Sequence, residues 1–438
     1  MLYYSHLSGK YYEKRIKMKK ELFKDIIGYD DIKKTLKRLV DVLNDKEKYE
    51  KIGSTIPHGL LLYGPPGLGK TTIAKEIINN VERKKYIIRK NKADGNFIDY
   101  MSNLFEQAKN NQPSIILLDD LDKFAEDDNT KNCEEFVAVQ SFIDDIKNKD
   151  IFVIATANNK NVLPNSLLRS GRFDIKIEIY YPDEGESYDV LKYYLSNKKI
   201  DKDVNIKNIS YILSCLSCAD LEKVCNQAGI YAAYKNKEKI GNDELLRASL
   251  ELSYDTNIED INDNDKYTIY TAYHEAGHAI VGNYLEPGSV SFITVARTNS
   301  STKGLTKYHN NTNYFDDIKF MENRIITLLA GKASTEIVFN KCDVGSNSDL
   351  HRAYDIAERF VDNYCMLDFN SWIRRVDEQS EKVKQTKDRN INMLIQKYYI
   401  QAKEVLIQNR SKLDSLANSL KKKKILFKDE ILDIINNS

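Results

Sequence analysis

Hydrophobic positions along this chain follow two rhythms. The runs Gly59-Leu60-Leu61-Leu62-Tyr63, Ile115-Ile116-Leu117-Leu118 and Ile151-Phe152-Val153-Ile154-Ala155-Thr156 are strand-length and without polar alternation. Such runs mark strands covered on both faces, as in a parallel sheet between helices. Within Leu22 to Gly53, residues Ile32, Leu36, Leu39, Val40 and Leu43 recur at helical spacing, and Thr72 to Val81 reads as a helix directly after the first run. In the second half, apolar residues from Tyr267 to Tyr284 lie on all sides, which predicts a buried helix. A Pro287-Gly288 turn and an alternating strand from Val290 to Ala296 follow it. Between Glu378 and Leu420, a charged helical region carries the stripe Ile391, Leu394, Ile395, Tyr398, Ala402, Val405 and Leu406. The polar, acidic stretch Ser253 to Lys266 shows little periodicity and is read as a linker. The expected organisation is a tail at 1–21, an α/β unit at 22–186, a helical subdomain at 187–252, the linker at 253–266 and a mainly helical domain at 267–438.

Composition narrows the function. A chain of 438 residues has room for several domains, and its charges nearly balance at a formal net charge of +1. No global field therefore draws it to nucleic acid. The apolar runs fall far short of the roughly 20 residues of a membrane helix, and Met1 to Glu21 lacks the apolar core of a secretory signal. Six scattered cysteines make no disulfide framework, and the CxxC pair Cys215/Cys218 has no second pair to complete a metal site. The thiols are read as ordinary ones in a reducing, cytoplasmic setting. The basic run Lys421 to Lys424 is read as a solvated helix face.

Chemistry enters after the first strand. Gly64-Pro65-Pro66-Gly67-Leu68-Gly69-Lys70-Thr71 fits GxxxxGK[ST] and leads through Thr72 into a helix. Backbone N–H groups of such a loop curl around phosphates, Lys70 adds a point charge, and the Thr71 hydroxyl ligates magnesium. The second strand ends in Asp119-Asp120. The first acid suits magnesium and the second the attacking water, while Asn158 after the third strand suits a γ-phosphate contact. Arg169 and Arg172, three apart beside Gly171, are read as fingers presented to a neighbouring subunit's nucleotide, which requires an oligomer.

His274-Glu275-Ala276-Gly277-His278 lies on the buried helix. Histidines four apart share a face and can reach one metal ion, with the intervening carboxylate near enough to take a proton from water there. The same pattern also fits two histidines and a glutamate satisfied inside a helical core. A catalytic zinc needs a third protein ligand, for which Asp343, Asp349, His351 and His309 are available.

Phosphate loop, strand acids, Asn158 and the Arg169/Arg172 segment, in this order, resemble an AAA+ ATPase, and Phe23-Lys24-Asp25-Ile26-Ile27-Gly28 resembles that module's opening. With the histidine pentapeptide behind it, the chain resembles the FtsH-type ATP-dependent zinc metalloproteases from about Phe23 to Ile435. The resemblance implies an AAA+ α/β module with a small helical lid around Ser217-Cys218-Ala219-Asp220-Leu221, followed by a helical zinc peptidase. It further implies Asp349 as third zinc ligand, Gly304-Leu305-Thr306-Lys307-Tyr308 as a substrate-side edge strand, and Zn2+, ATP and Mg2+ as cofactors. A hexameric homo-oligomeric ring that degrades protein substrates is expected.

Three departures stand out. Asp120 occupies the place of the family's catalytic glutamate and is one methylene shorter, so slower ATP hydrolysis is expected. The pore-loop position falls at Ala93-Asp94-Gly95, without the gripping aromatic, for which Phe97 or Tyr100 are substitutes. An aspartate-glycine-phenylalanine signal before the third strand is missing, with Asp144-Asp145-Ile146 nearby. The membrane helices that precede this module in the family are not written in this sequence, so a soluble chain or a separate membrane partner is expected. A nucleotide-regulated peptidase with weak unfolding activity and a non-proteolytic chaperone or scaffold are the alternative readings.

Overall fold

The computed structural model describes residues 22–90, 96–125, 133–255, 266–296, 304–309, 318–341, 344–364 and 381–437. The tail at 1–21, Ala93-Asp94-Gly95, most of the linker, Asp343, Cys342 and Cys365 lie outside them. Residues 1–197 with 214–223 form one compact unit, and 198–213 with 224–438 a second.

In the first unit, helices α1 (Asp30–Asn44) and α2 (Lys46–Glu50) precede strand β1 (Gly59–Tyr63) and helix α3 (Lys70–Asn79). Then come β2 (Lys84–Ile88), α4 (Phe97–Asn110), β3 (Ser114–Leu118), α5 (Glu134–Asp145), β4 (Ile151–Ala157), β5 (Ile175–Glu178) and α6 (Glu184–Leu195). The sheet is five-stranded, in the order β2-β3-β4-β1-β5, and every pairing is parallel. Successive residues of a strand face opposite sides, so a strand apolar throughout feeds two cores. Leu60, Leu62, Ile115, Leu117, Phe152 and Ile154 join Leu36, Leu39, Leu43, Ile73 and Ile77 in one core. Leu61, Ile116, Leu118, Val153 and Ala155 join Met101, Phe105, Phe136 and Val139 in the other.

Hydrophobic runs revealed the three central strands and not the outer two. In β2, Lys84-Lys85-Tyr86-Ile87-Ile88, and β5, Ile175-Lys176-Ile177-Glu178, exposed and covered positions alternate, because each strand has one neighbour and a wetter face.

The second unit contains α7 (Ile206–Leu213), most of α8 (Cys218–Tyr234), and α9 (Asn242–Tyr254). Behind these come α10 (Lys266–Leu285), β6 (Val290–Thr294), β7 (Leu305–Tyr308), α11 (Ile318–Phe339) and α12 (Asn347–Asp362). The chain closes with α13 (Glu381–Gln408), α14 (Arg410–Lys423), β8 (Ile425–Phe427) and α15 (Lys428–Asn437). One core gathers Ala276, Ala279 and Ile280 of α10, Ile325, Leu329 and Ala333 of α11, Ala353 and Phe360 of α12, and Leu394 and Tyr398 of α13. A three-stranded antiparallel sheet, β7-β6-β8, lies in the same unit, with β7 at an edge.

The charged C-terminal region divides at Asn409 into two helices. Lys421, Lys422 and Lys423 occupy the last turn of α14, where cations offset the negative end of the helix. Lys424 then takes a left-handed φ of 68° and turns the chain into β8, a buried strand that the lysine run conceals in the sequence.

Leu117 has no exposed surface and sits in the middle of a central strand. Leu117→Ala is expected to cost about 2–5 kcal/mol, since a cavity there cannot collapse easily, read as a lower denaturant midpoint for loss of the first unit.

Candidate metal and nucleotide centres

At the end of β1 the chain turns through Gly64 to Thr71 into α3. Gly64 has φ 144°, and a Cβ there would stand 2.0 Å from the carbonyl oxygen of Ile179, so no side chain fits. Lys70 Nζ donates to the carbonyls of Gly64 and Pro65, both at 2.7 Å. Burial lowers the pKa of this lysine against the opposing pull of Asp122 and Asp120. Thr71 Oγ1 donates to Asp119 Oδ1 at 2.7 Å, and Thr156 Oγ1 donates to the same oxygen at 2.9 Å. Hydroxyl and buried carboxylate thus lie side by side, a hard-oxygen pair that fits Mg2+.

Asp120 follows with a left-handed φ of 56°. Its N–H donates to Thr156 Oγ1 at 2.8 Å, and its Oδ2 lies between Lys123 Nζ at 3.0 Å and Arg89 Nη2 at 3.3 Å. Asn158 is tied through its N–H to Asp122 Oδ2 at 3.0 Å. Asp122 is a residue that motif reading passed over: it is the third acid of Asp119-Asp120-Leu121-Asp122, and only the short helical turn at Leu121–Lys123 aims it back at β4.

The two arginines differ. Arg169 is exposed. Arg172 is forked onto Asp144 of its own chain, Nε to Oδ1 at 3.1 Å and Nη2 to Oδ2 at 2.7 Å, and also donates to the Ser166 carbonyl. Of the two substitute pore aromatics, Phe97 is buried, edge-on to Phe124 with centroids 4.8 Å apart, while Tyr100 is 48% exposed. Phe97 is therefore a core residue.

The second centre is built on α10, α11 and α12. His274 and His278 are one helical turn apart on α10, with Nε2 atoms separated by 3.1 Å. Asp349, in the first turn of α12, places Oδ2 3.2 Å from His274 Nε2 and 3.3 Å from His278 Nε2. His278 Nδ1 donates to the Thr327 carbonyl at 2.7 Å, which turns Nε2 toward the cluster. Among the described residues this is the one group of three such ligands, all within 4.8 Å. His309 and His351 are exposed and outside it.

Gly331 of α11 is the residue sequence reasoning missed. A Cβ there would stand 2.5 Å from His278 Nε2 and 2.6 Å from His274 Nε2, so only a bare backbone can pack this closely on both imidazoles. Its one faint signal is the small-residue series Ala330, Gly331, Ala333, Ser334 in an otherwise bulky helix. Two imidazole nitrogens and one carboxylate oxygen match the three protein donors of a catalytic zinc.

Burial and mutual pairing set the charges of these groups against one another. Burial pushes the Glu275 carboxyl up, with His274, His278 and a hydrogen bond from Thr306 pulling the other way. Burial disfavours a charged His278, yet Asp349 and Glu275 outweigh it and raise its pKa to about 8. Asp349 is itself partly desolvated, but hydrogen bonds from His274 and His278 hold its carboxyl well below the usual carboxylate range.

Residues 60–181 match the AAA family, described as ATPase family associated with various cellular activities, and residues 261–434 match peptidase family M41. The ATP-dependent zinc metalloprotease FtsH 2 of Thermoanaerobacter sp. (strain X514) is 31% identical over 428 residues, covering 93% of this chain and 82% of that protein. The ATP-dependent zinc metalloprotease FtsH of Bacillus subtilis (strain 168) is 30% identical over 462 residues, covering 97% of this chain and 70% of that protein. The chain belongs to the FtsH family of ATP-dependent zinc metalloproteases. As an FtsH-family member it joins a parallel-sheet AAA module to a mainly helical M41 domain, the architecture expected from its sequence.

Two outcomes follow. Gly331→Ala is expected to lower zinc affinity by about 10- to 100-fold, the usual scale for disturbing the surroundings of metal ligands, with helix content unchanged; metal analysis beside far-UV circular dichroism reads both. The second concerns Asp144, whose hydrogen bond to Arg172 lowers its pKa from 3.8 to about 2. A carboxyl depressed by folding stabilises the fold above its unfolded pKa and loses that contribution as pH falls through the folded one. The stability gap between wild type and Asp144→Asn is thus expected to be present at pH 5 and to shrink as pH falls from about 4 to about 2, followed by thermal melts across that window.

Proposed function

We propose that this chain is an ATP-dependent zinc metalloendopeptidase that degrades unfolded or unfoldable proteins, assembled as a hexameric homo-oligomer. The observation that most supports this reading is the convergence of His274, His278 and Asp349 beside the buried Glu275, on a chain that also carries the Thr71–Asp119 pair.

His274 Nε2, His278 Nε2 and Asp349 Oδ2 would hold the zinc. When bound, zinc brings the pKa of a water towards about 7 and polarises the scissile carbonyl. Glu275 accepts the proton of the attacking water and returns it to the leaving amine. β7, an outer strand of its sheet, binds an extended substrate by main-chain hydrogen bonds. In the ATPase half, Thr71 and Asp119 would hold magnesium, and Lys70, with the backbone of residues 64–72, would hold the phosphates. Asn158 senses the γ-phosphate, and Arg169 reaches the neighbouring subunit's nucleotide, with Arg172 kept for its own subunit unless Asp144 releases it. Asp120 orients the lytic water.

The Asp120 carboxylate is shorter than the family's glutamate and is engaged by Arg89 and Lys123. That observation favours slow hydrolysis and, as a second reading, a nucleotide-regulated peptidase with weak unfolding activity. Among the described residues no helix is long and apolar enough to cross a membrane. We place the chain in the cytoplasm, alone or beside a membrane-bound partner.

The test compares wild type, Glu275→Gln and Lys70→Ala on one unstructured and one stably folded substrate. Glu275→Gln is expected to lose both cleavages and keep zinc, and Lys70→Ala to lose only cleavage of the folded substrate. Cleavage surviving in Glu275→Gln would remove the base assignment, and unchanged digestion of folded substrate by Lys70→Ala would favour the second reading.

A further inference from the structure

Glu275 is buried, and what holds its carboxylate comes from outside its own helix. Thr306, in the second position of β7, directs its hydroxyl at Glu275 Oε2, 2.7 Å away, with the Glu275 carbonyl oxygen more distant at 3.3 Å. A hydroxyl has one proton to give, and the shorter contact is to the ionisable oxygen. Two residues earlier, Gly304 lies against the other oxygen: a Cβ there would stand 2.6 Å from Oε1 and 2.9 Å from Glu275 Cγ. The segment 304–306 thus grips the side chain from two sides. Tyr308 extends the contact, donating to the His278 carbonyl at 3.2 Å, so alternate residues of β7 face the helix that carries the zinc ligands.

We infer that Thr306 is a positioning residue for Glu275. Its hydroxyl fixes Oε2 and leaves Oε1 as the oxygen that accepts the proton of the attacking water. A glutamate has three side-chain torsions, and packing against Gly304 confines the carboxylate without directing it, so this donor is what sets the angle at which it meets that proton; catalysis is sensitive to misplacement on the ångström scale. Because β7 is also an edge strand, the element that the substrate would extend is the one that orients the base. The inference rests on Glu275 being the general base, as argued above.

The experiment measures cleavage of an unstructured peptide substrate by the zinc-loaded protein, with zinc content and ATPase rate recorded for every variant. Thr306→Val keeps the shape and removes the donor, whereas Thr306→Ser keeps the donor and removes the methyl group. Thr306→Val is expected to lower kcat by about 10- to 100-fold, the cost of losing a hydrogen bond to a charged group, with KM within about twofold of wild type. Thr306→Ser is expected to stay within about threefold of wild type in kcat. Should Thr306→Val lose zinc or fail to fold, Thr306→Ala reads the loss of the same hydroxyl.

Wild-type kcat in the hydroxyl-less variant, equal impairment of the Ser variant, or a change confined to KM would each overturn the inference. Glu275→Gln run alongside separates the two claims. If it is inactive while the hydroxyl-less variant is fully active, the positioning role falls and the base stands; if Glu275→Gln is active, the base assignment falls first.

Discussion

The peptidase site depends on how closely two buried helices approach. Gly277 sits between His274 and His278 of α10, and a Cβ there would stand 2.5 Å from Ser334 Cβ and 2.8 Å from the Ala330 carbonyl oxygen of α11. Only a glycine permits that approach. The approach brings the Thr327 carbonyl to His278 Nδ1, Ser334 Oγ to the Tyr273 carbonyl at 2.6 Å, and the bare Cα of Gly331 to both imidazoles. Helix α11 supplies no candidate ligand, yet its Thr327 carbonyl fixes the tautomer and orientation of His278. A van der Waals constraint thus becomes a chemical one: ring orientation decides where three ligand atoms meet.

Burial then gives the cluster its electrostatic character. His274, Glu275 and His278 are each nearly inaccessible, and Asp349 is largely so. An isolated charge in such a place is costly, so the group is sustained by mutual pairing and by donors such as Thr306. The first unit solves a similar problem at Asp119, a buried carboxylate satisfied by the hydroxyls of Thr71 and Thr156. There the parallel sheet does the positioning, since Asp119 and Thr156 stand at the C-terminal ends of neighbouring strands β3 and β4, and the loop after β1 brings Thr71 to them.

Some of this was legible in the sequence for plain reasons. The central strands are apolar on both faces and cannot be mistaken for surface, and the phosphate loop and histidine pentapeptide are local patterns whose spacing already fixes their geometry. The outer strands β2 and β5 were not legible, because half of each is wet and lysine and glutamate break the run. β8 was hidden behind four lysines whose place at a helix end gives them a role unrelated to the strand that follows. Phe97 and Tyr100 looked alike as aromatic substitutes, and only packing against Phe124 separates the buried one from the exposed one.

By itself, then, the sequence determined the chemistry available: a loop that holds phosphates, acids at a strand end, two histidines and a carboxylate one helical turn long, and a third acid opening a later helix. Tertiary structure decided which distant groups serve them. That Asp349 lies within 3.3 Å of histidines more than 70 positions away, that Gly331 must lack a side chain, and that Thr306 and Gly304 hold Glu275 are consequences of helix and strand packing. Sequence spacing governs neighbours within a turn of helix, whereas contacts across elements follow from the close packing of the whole core.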